Sequence, residues 1–293
     1  MRIHSALALP ELAAAPDDGA PADVLIEFGA VSARLPGAAN PEPMIQVAAD
    51  ALQIDAAFGR IRVTGGRTIT IDPAPGASPQ DVRLFLLGSA VGALCHQRSS
   101  LALHAAAITV EGRAVAFAGP SGAGKSTLTA LHSLAGGAVL TDDLCVLGCG
   151  VAGEPIVYRG PRRIKLWADS ADLAQWAPPA SSRLAEGFDK FSLPICRSAA
   201  WLPLDRLYVL RPGGSSDAVF RPLEGPEAVA ALLAQVYRWS DAVAMGKALE
   251  VFEHCVDLAR RCMIFELLYT HDRRAPGELL AAVIRHVRQS LEA

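Results

Sequence analysis

Residues 119–126 read Gly119-Pro-Ser-Gly-Ala-Gly-Lys-Ser126, which is the G-x-x-x-x-G-K-S pattern of a phosphate-binding loop. The apolar run Arg113–Ala118 before it predicts a buried strand, and residues 125–134 after it predict a helix. The glycines let the backbone curl until successive N–H groups face a phosphate chain, and the helix N-terminus adds a favourable dipole. Strand, loop and helix together predict a site for a nucleoside triphosphate.

The residue types in this loop match distinct roles in binding ATP and Mg²⁺. Lys125 can reach the β- and γ-phosphates, and the Ser126 hydroxyl can join the ligands of Mg²⁺. The pattern does not distinguish ATP from GTP. We expect the cofactor to contact the whole segment and the residue after it: Gly119, Pro120, Ser121, Gly122, Ala123, Gly124, Lys125, Ser126 and Thr127.

Two adjacent carboxylates follow the loop, in the stretch Ala138-Val-Leu-Thr-Asp142-Asp143. An acidic residue at the end of a short apolar strand beyond the loop helix is where such enzymes hold Mg²⁺. On an extended backbone the two side chains would point to opposite sides, so one could face the metal and the other the attacking nucleophile. We therefore expect Asp142 and Asp143 to contribute metal binding and general-base catalysis. The alternative is an Asp-Asp turn exposed to solvent.

His104 is the histidine with the most suggestive position, because it lies on the strand predicted for Leu101–Val110, next to the strand that leads into the loop. Its neighbours are small or apolar. A lone histidine in such surroundings is often a core residue, but a buried imidazole here could orient one aspartate and shift its pKa. We favour the role in the site.

Composition excludes several classes of protein. The chain has 293 residues, is 51% hydrophobic and carries a net charge of −3, so it predicts a substantial core and neither disorder nor a basic nucleic-acid surface. Its six cysteines include no C-x-x-C pair, which predicts reduced and mostly buried thiols. No stretch has the length of a signal or membrane segment, so we expect a cytoplasmic protein without nucleic-acid or membrane partners.

The chain divides into a small β-rich unit with a loose lead-in, residues 1–77, and an α/β domain, residues 78–293. Ser78 and Pro79 predict the start of a helix that continues to about Gln97. The remaining strands and helices are predicted at 24–28, 45–49, 61–64, 68–71, 101–110, 113–118, 138–140, 144–147, 164–167, 207–210, 226–236, 247–261, 263–267 and 276–291.

His104, the loop and the aspartate pair together resemble the HPr kinase/phosphorylase family. The resemblance covers roughly residues 100–170 and implies a P-loop kinase core related to that of phosphoenolpyruvate carboxykinase. It implies that Lys125 holds phosphates, that Ser126 and an acidic residue hold Mg²⁺, and that Asp142 is the base. Asp143 and His104 would then form a supporting pair. Tyr158-Arg159-Gly160 looks like a remnant of the family's Glu-x-Arg-Gly segment.

Other positions depart from that family and resemble a divergent branch of it. Thr127 stands where the family has glutamate, and Val157 stands where its Glu-x-Arg-Gly segment begins. The chain is similar instead to the lasso-peptide precursor kinases, which phosphorylate a C-terminal serine, in residues 162–167 and 187–190. This resemblance implies a peptide or protein substrate with an acceptor serine, and it leaves a homo-oligomer open.

A basic cluster after the aspartates supplies candidates for holding the γ-phosphate or an acidic substrate. Its members are Arg159, Arg162, Arg163, Lys165 and Lys190, of which Lys190 is favoured and Arg159 and Arg163 are weaker candidates. The function that explains the loop, the aspartates and the histidine together is an ATP- and Mg²⁺-dependent serine kinase. A small-molecule kinase on the same scaffold and a nucleotide-hydrolysing switch without a phosphoryl acceptor are the alternatives.

Overall fold

The structure is a computed structural model that describes residues 1–38, 40–41, 44–184, 189–195, 199–213, 217–270 and 276–292. It confirms a mixed α/β fold. The chain forms two compact units, residues 1–102 with 238–253, and residues 103–237 with 254–293. None of the described helices combines the length and the apolar character that a membrane span requires.

The elements follow one another along the chain with short connections. Up to the helix after the phosphate-binding loop they are β1 (Ile3–Ser5), β2 (Val24–Phe28), β3 (Asn40–Pro41), β4 (Ile45–Val47), β5 (Ala51–Ala56), β6 (Gly59–Thr64), β7 (Thr68–Pro73), α1 (Pro79–Phe85), α2 (Val91–Gln97), β8 (Ala102–Leu103), β9 (Ala105–Val110), β10 (Arg113–Ala118) and α3 (Lys125–Leu134). A π-helical segment, Leu86–Ala90, joins α1 to α2. The later elements are β11 (Val139–Thr141), β12 (Cys145–Cys149), β13 (Pro155–Tyr158), β14 (Arg163–Trp167), α4 (Ala168–Leu173), β15 (Lys190–Pro194), β16 (Trp201–Pro212), β17 (Val219–Leu223), α5 (Gly225–Leu233), α6 (Trp239–Ala244), α7 (Ala248–Arg261), β18 (Met263–Tyr269) and α8 (Pro276–Glu292).

The first unit contains a sheet with the strand order β1-β2-β7-β6-β5-β4-β3. The predicted turn at Gly65-Gly66 joins β6 to β7, and both glycines have positive φ, as a two-residue hairpin turn requires. Apolar residues of the sheet form one core with the helical segment 79–97. Ser78 caps that segment, because its Oγ accepts a hydrogen bond from the Asp81 N–H at 3.1 Å. The predicted division at residue 78 concerns which segments fold independently, and it stays a prediction.

The sequence did not indicate β5, the strand Ala51-Leu-Gln-Ile-Asp-Ala56. The reason is Gln53, a fully buried polar residue that interrupts the apolar pattern. Its side-chain amide donates to the carbonyl of Ser32 at 2.9 Å, and its Oε1 accepts from Arg62 at 2.7 Å. These bonds replace the water that Gln53 loses on burial, so a strand forms where hydropathy alone predicts none.

The second unit is organised around β10 and β16, which pair in parallel from Ala114↔Leu204 to Ala118↔Val209. On its other edge β10 pairs with β9 through the predicted tight turn at Glu111-Gly112. β16 also pairs in parallel with β18. Because β10, β16 and β18 run in the same direction, the loop after β10 lies at the carboxyl ends of these strands, where open α/β sheets bind ligands.

His104 interrupts the strand that the sequence predicts across residues 101–110. The structure separates β8 from β9 at this residue, whose backbone N–H donates to the carbonyl of Gln235 at 2.7 Å. The expectation of a buried imidazole is wrong, because 36% of the side chain is exposed. The break turns His104 out of the strand ladder and leaves its ring available for contacts beyond the sheet.

The cysteines mostly follow the sequence expectation. Five are described, all of them as free thiols, and Cys149 is the exposed one among them. Cys196 lies outside the described residues.

The core of the first unit yields a stability prediction. Ile54, Ile61 and Ile71 are registered side by side on β5, β6 and β7, and all three are buried. We expect Ile61→Ala to lower the free energy of unfolding by about 2–5 kcal/mol, since it leaves a cavity in this row. Urea denaturation measures the change. As a control, Leu25→Ala on β2 removes a side chain that is 39% exposed and should cost clearly less. Equal costs would contradict this description of the core.

Candidate active site

The phosphate-binding loop connects β10 to α3 and has a backbone that only glycine tolerates at three positions. Gly119, Gly122 and Gly124 have φ values of +143°, +83° and +87°. A side chain on Gly119 would also come within 3.0 Å of the Leu210 carbonyl of β16. These glycines therefore serve both the curl of the loop and its close approach to the sheet.

Lys125 is the first residue of α3, and its side chain folds back over the loop. Its Nζ donates to the carbonyls of Gly119 at 2.7 Å and Pro120 at 3.0 Å. Burial lowers the pKa of Lys125, while the attraction of Asp142 and Asp143 opposes that shift. The hydroxyl of Tyr269, at the end of β18, donates to the Ala123 carbonyl and ties the loop to the sheet. The ammonium group is thus held beside the loop on which an anion would lie.

Asp142 directly follows β11 and binds the start of α3. The Ser126 hydroxyl donates to its Oδ1 at 2.8 Å, and the backbone N–H of Lys165 donates to its Oδ2 at 2.8 Å. Burial raises the pKa of Asp142, and the neighbouring charge of Asp143 raises it further. A hydroxyl and a carboxylate at this separation form the donor set with which P-loop enzymes bind Mg²⁺.

Asp143 occupies a strained turn, which corrects the expectation of an extended Asp-Asp backbone. Its φ is +74°, and the Leu144 N–H donates across it to the Asp142 carbonyl at 2.9 Å. These are features of a γ-turn with positive φ, a conformation that is rare for residues other than glycine. The reversal of the chain brings both carboxylates to the same cavity instead of opposite faces.

The Asp143 carboxylate is paired with two groups that can carry positive charge. Lys165 Nζ donates to its Oδ2 at 2.8 Å, and His104 Nδ1 lies 3.4 Å from its Oδ1. Burial by itself would raise the pKa of Asp143, but His104 and Lys165 outweigh it and hold that pKa well below its usual range. The carboxylate is therefore ionised at neutral pH.

These groups line an open cavity with a volume of about 940 Å³, at the upper end of the sizes typical of ligand pockets. The loop and α3 form one wall, and α4, α8 and the ends of β15 and β18 contribute others. The described lining residues are His104, residues 121–128, Asp142, Asp143, Lys165, residues 167–170, Leu173, Asp189, Lys190, Asp217, Ala218, Tyr269, Thr270, Pro276, Glu278, Leu279, Ala282 and Arg285.

The structure brings most of the predicted site residues together. His104, Ser121 to Thr127, Asp142, Asp143 and Lys190 all line the cavity, and Gly119 and Pro120 contact Lys125 from the loop. Arg159 and Arg163 are not among the described lining residues, and Arg163 is buried in β14. Gly187 and Phe188, which the sequence associated with Lys190, lie outside the described residues.

Sequence reasoning underestimated Lys165, which it treated as one member of a basic cluster. Its backbone nitrogen binds Asp142 and its ammonium group binds Asp143. A strand residue 22 positions beyond Asp143 gives no local signal of these contacts. The sequence also gave no signal for the cavity walls supplied by Trp167, Asp217 and α8.

Comparisons with known proteins yield a single listed likeness. No family model and no curated protein matches the sequence. Among solved structures, the chain is similar to the Hpr(Ser) kinase/phosphatase from Coxiella burnetii, with a TM-score of 0.35 and 12% sequence identity. The match covers 66% of this chain and 99% of that chain. A likeness of this size carries no conclusion about function.

Gly160 provides a test of the packing behind Asp142. Its N–H donates to the Leu140 carbonyl at 2.9 Å, and a Cβ there would lie 2.3 Å from Thr141 Oγ1. We expect Gly160→Ala to displace β11 and to lower the free energy of unfolding by about 1–3 kcal/mol, as overpacking does. Urea denaturation is the measurement. Gly277→Ala is the matched control, because a Cβ at Gly277 meets nothing within 4 Å. Equal behaviour of the two variants would contradict the packing described.

The pairing of Asp143 predicts a stability effect with a defined pH dependence. Lys165→Met should lower the free energy of unfolding at pH 7 by about 1–3 kcal/mol, because it removes a charged partner from a mostly buried carboxylate. The folded-state pKa is depressed, so this stabilisation is present above the unfolded carboxyl's value of 3.8 and declines as the pH falls through the lower folded value. Urea titrations at pH 7 and at pH 5 should give the same difference.

The control for that measurement is an exposed ion pair. Lys247 binds Glu250 at 2.8 Å, but the glutamate side chain is 42% exposed. Lys247→Met should therefore change stability by less than about 1 kcal/mol. If both lysine variants cost the same, the Lys165 contact has no special weight.

Proposed function

We propose that this protein is a kinase that uses ATP and Mg²⁺ to phosphorylate a serine hydroxyl on a peptide or protein. The observation that carries the proposal is the contact between the Ser126 hydroxyl and Asp142 at 2.8 Å, beside an Asp143 paired with Lys165. This places a metal-binding pair, a second ionised carboxylate and a phosphate-binding loop on one cavity. Those are the parts that phosphoryl transfer requires, since its catalysis consists mainly of positioning and charge stabilisation.

The loop supplies the binding site for the phosphate chain. Backbone N–H groups of residues 121–126 and the start of α3 would face the phosphates. Lys125 already bonds two carbonyls of this loop, and we expect a phosphate to take over those bonds. An ammonium bonded to an anionic oxygen forms a stronger hydrogen bond than one bonded to a neutral carbonyl.

The residues present fit a Mg²⁺ ion that is shared with the nucleotide. Ser126 and Asp142 would hold it, and Mg²⁺ usually takes one or two carboxylates and completes its shell with phosphates and water. Within the described ranges no three His, Cys, Asp or Glu side chains converge on a site that could hold a metal by themselves. When bound, the ion would supply positive charge to the phosphates.

The contacts favour Asp143 as the group that receives the proton. Both oxygens of Asp142 are already engaged, by Ser126 and by the Lys165 N–H, and only 6% of this residue is exposed. The Asp143 side chain is 22% exposed at the cavity, so an acceptor hydroxyl can approach it more easily. This assignment reverses the one that the family resemblance implies, in which Asp142 is the base.

The transfer would proceed in line, with one bond formed and one broken. The acceptor oxygen bonds to the γ-phosphorus as the bond from that phosphorus to the ADP oxygen breaks, and the hydroxyl proton passes to Asp143. His104 and Lys165 would hold this carboxylate in place. The resemblance of residues 162–167 to lasso-peptide precursor kinases supports a peptide as the acceptor. The cavity volume of about 940 Å³ has room for a triphosphate and an acceptor side chain.

The test is transfer of label from γ-labelled ATP with Mg²⁺ to serine-containing peptides and to the products of neighbouring genes, resolved by mass. We expect the wild-type protein to label serine and Asp143→Asn to lower the transfer rate by about 10²–10⁴-fold, as loss of a general base does. Its affinity for ATP should be unchanged. Asp142→Asn should instead weaken the binding of ATP that depends on Mg²⁺.

Asp257→Asn serves as the matched control, since it removes an exposed carboxylate on α7 that is paired with Arg261. It should leave the transfer rate unchanged. Release of phosphate to water alone, with every acceptor offered, would contradict the kinase and favour a nucleotide-hydrolysing switch. Label on a small molecule instead of a peptide would contradict the proposed class of acceptor.

A further inference from the structure

The described cavity wall carries three lysines whose ammonium groups have different partners. Lys125 is bonded to two loop carbonyls, and Lys165 is bonded to Asp143 at 2.8 Å. Lys190, the first residue of β15, has its Nζ 5.0 Å from the centre of the Trp167 ring. Among the described residues, none accepts a hydrogen bond from this ammonium group at the cavity. It is therefore the lysine of the three that can bind an incoming anion without losing a hydrogen bond.

The position of Lys190 is fixed by the hairpin of β14 and β15. Trp167 and Lys190 are directly opposite each other in this antiparallel pair, and Lys165 lies two residues before Trp167 on the same strand. The same hairpin thus presents one lysine to Asp143 and a second to the cavity beside it. Burial lowers the pKa of Lys190, and the attraction of Asp143 and Asp142 partly offsets this, which is consistent with an ammonium close to both carboxylates.

We propose that Lys190 is a further catalytic residue, which leaves the ring of Trp167 and donates to the γ-phosphoryl oxygens when ATP with Mg²⁺ binds. This inference rests on the proposed function. A cation over an exposed aromatic ring is held more weakly than one hydrogen-bonded to a phosphate, so the exchange is favourable. Lys190 keeps its proton throughout the transfer, while its charge offsets the negative charge on the phosphoryl oxygens.

Trp167 makes this movement measurable, because its side chain is 45% exposed at the cavity and the ammonium lies over its ring. Its fluorescence is obtained as the difference between the full chain and the Trp167→Phe variant. We expect the non-hydrolysable ATP analogue AMP-PNP with Mg²⁺ to change this emission and ADP with Mg²⁺ to leave it nearly unchanged. In Lys190→Met the two nucleotides should give the same signal.

The rate of γ-phosphate transfer gives a second readout, measured to a labelled peptide or, without an acceptor, to water. Lys190→Met should lower this rate by about 10²–10³-fold, the range seen when a group that stabilises transition-state charge is removed. The affinity for ADP, measured by calorimetry, should not change, and Lys190→Arg should retain part of the rate. Arg183→Met is the matched control, because Arg183 also lies over a ring, that of Phe191 at 5.1 Å, but is not among the described lining residues.

The outcomes separate this inference from the function on which it rests. If AMP-PNP binds but the Trp167 signal does not distinguish it from ADP, or if Lys190→Met transfers phosphate at the wild-type rate, Lys190 has no catalytic role and the kinase proposal stands. If calorimetry detects no binding of either nucleotide with Mg²⁺, both proposals are overturned.

Discussion

The arrangement of the site depends on Lys165 binding two adjacent carboxylates at once. Asp142 and Asp143 are both mostly withdrawn from water, and like charges this close oppose each other's ionisation. Lys165 meets both, with its backbone N–H on Asp142 and its ammonium on Asp143. Because a backbone amide and a side chain of one residue make these contacts, the position of β14 fixes the positions of the two carboxylates relative to each other.

The turn at Asp143 shows what this constraint accomplishes. A positive φ at a residue other than glycine costs about 1–3 kcal/mol and persists only where surrounding contacts determine it. At Asp143 those contacts are Lys165, His104 and the hydrogen bond from Leu144 across the turn. In return, two neighbouring side chains that an extended strand would separate point into one cavity. Strain in the backbone and charge pairing in the side chains are therefore parts of one arrangement.

Much of this site could be predicted from local sequence, because its parts obey local rules. The loop needs glycines for positive φ, its strand is apolar because it is buried on both faces, and α3 begins where the loop ends. The aspartate pair was found from its spacing to this loop. The failures have a common cause, since β5, the break at His104 and the turn at Asp143 all depend on partners distant in sequence. Gln53 is satisfied from the loop at residues 32–33, and His104 from Gln235.

The sequence by itself determined the chemistry that is available: a glycine-rich loop ending in Lys125 and Ser126, two carboxylates after a short strand, a histidine and a basic cluster. Those properties follow from residue type and spacing along the chain. Only the tertiary structure decided which basic residue meets the carboxylates, that both carboxylates share a cavity, and that Lys190 lies over Trp167. The reason is physical: a hydrogen bond or ion pair depends on distances of a few ångströms between atoms, and strands far apart in sequence set those distances only when they pack.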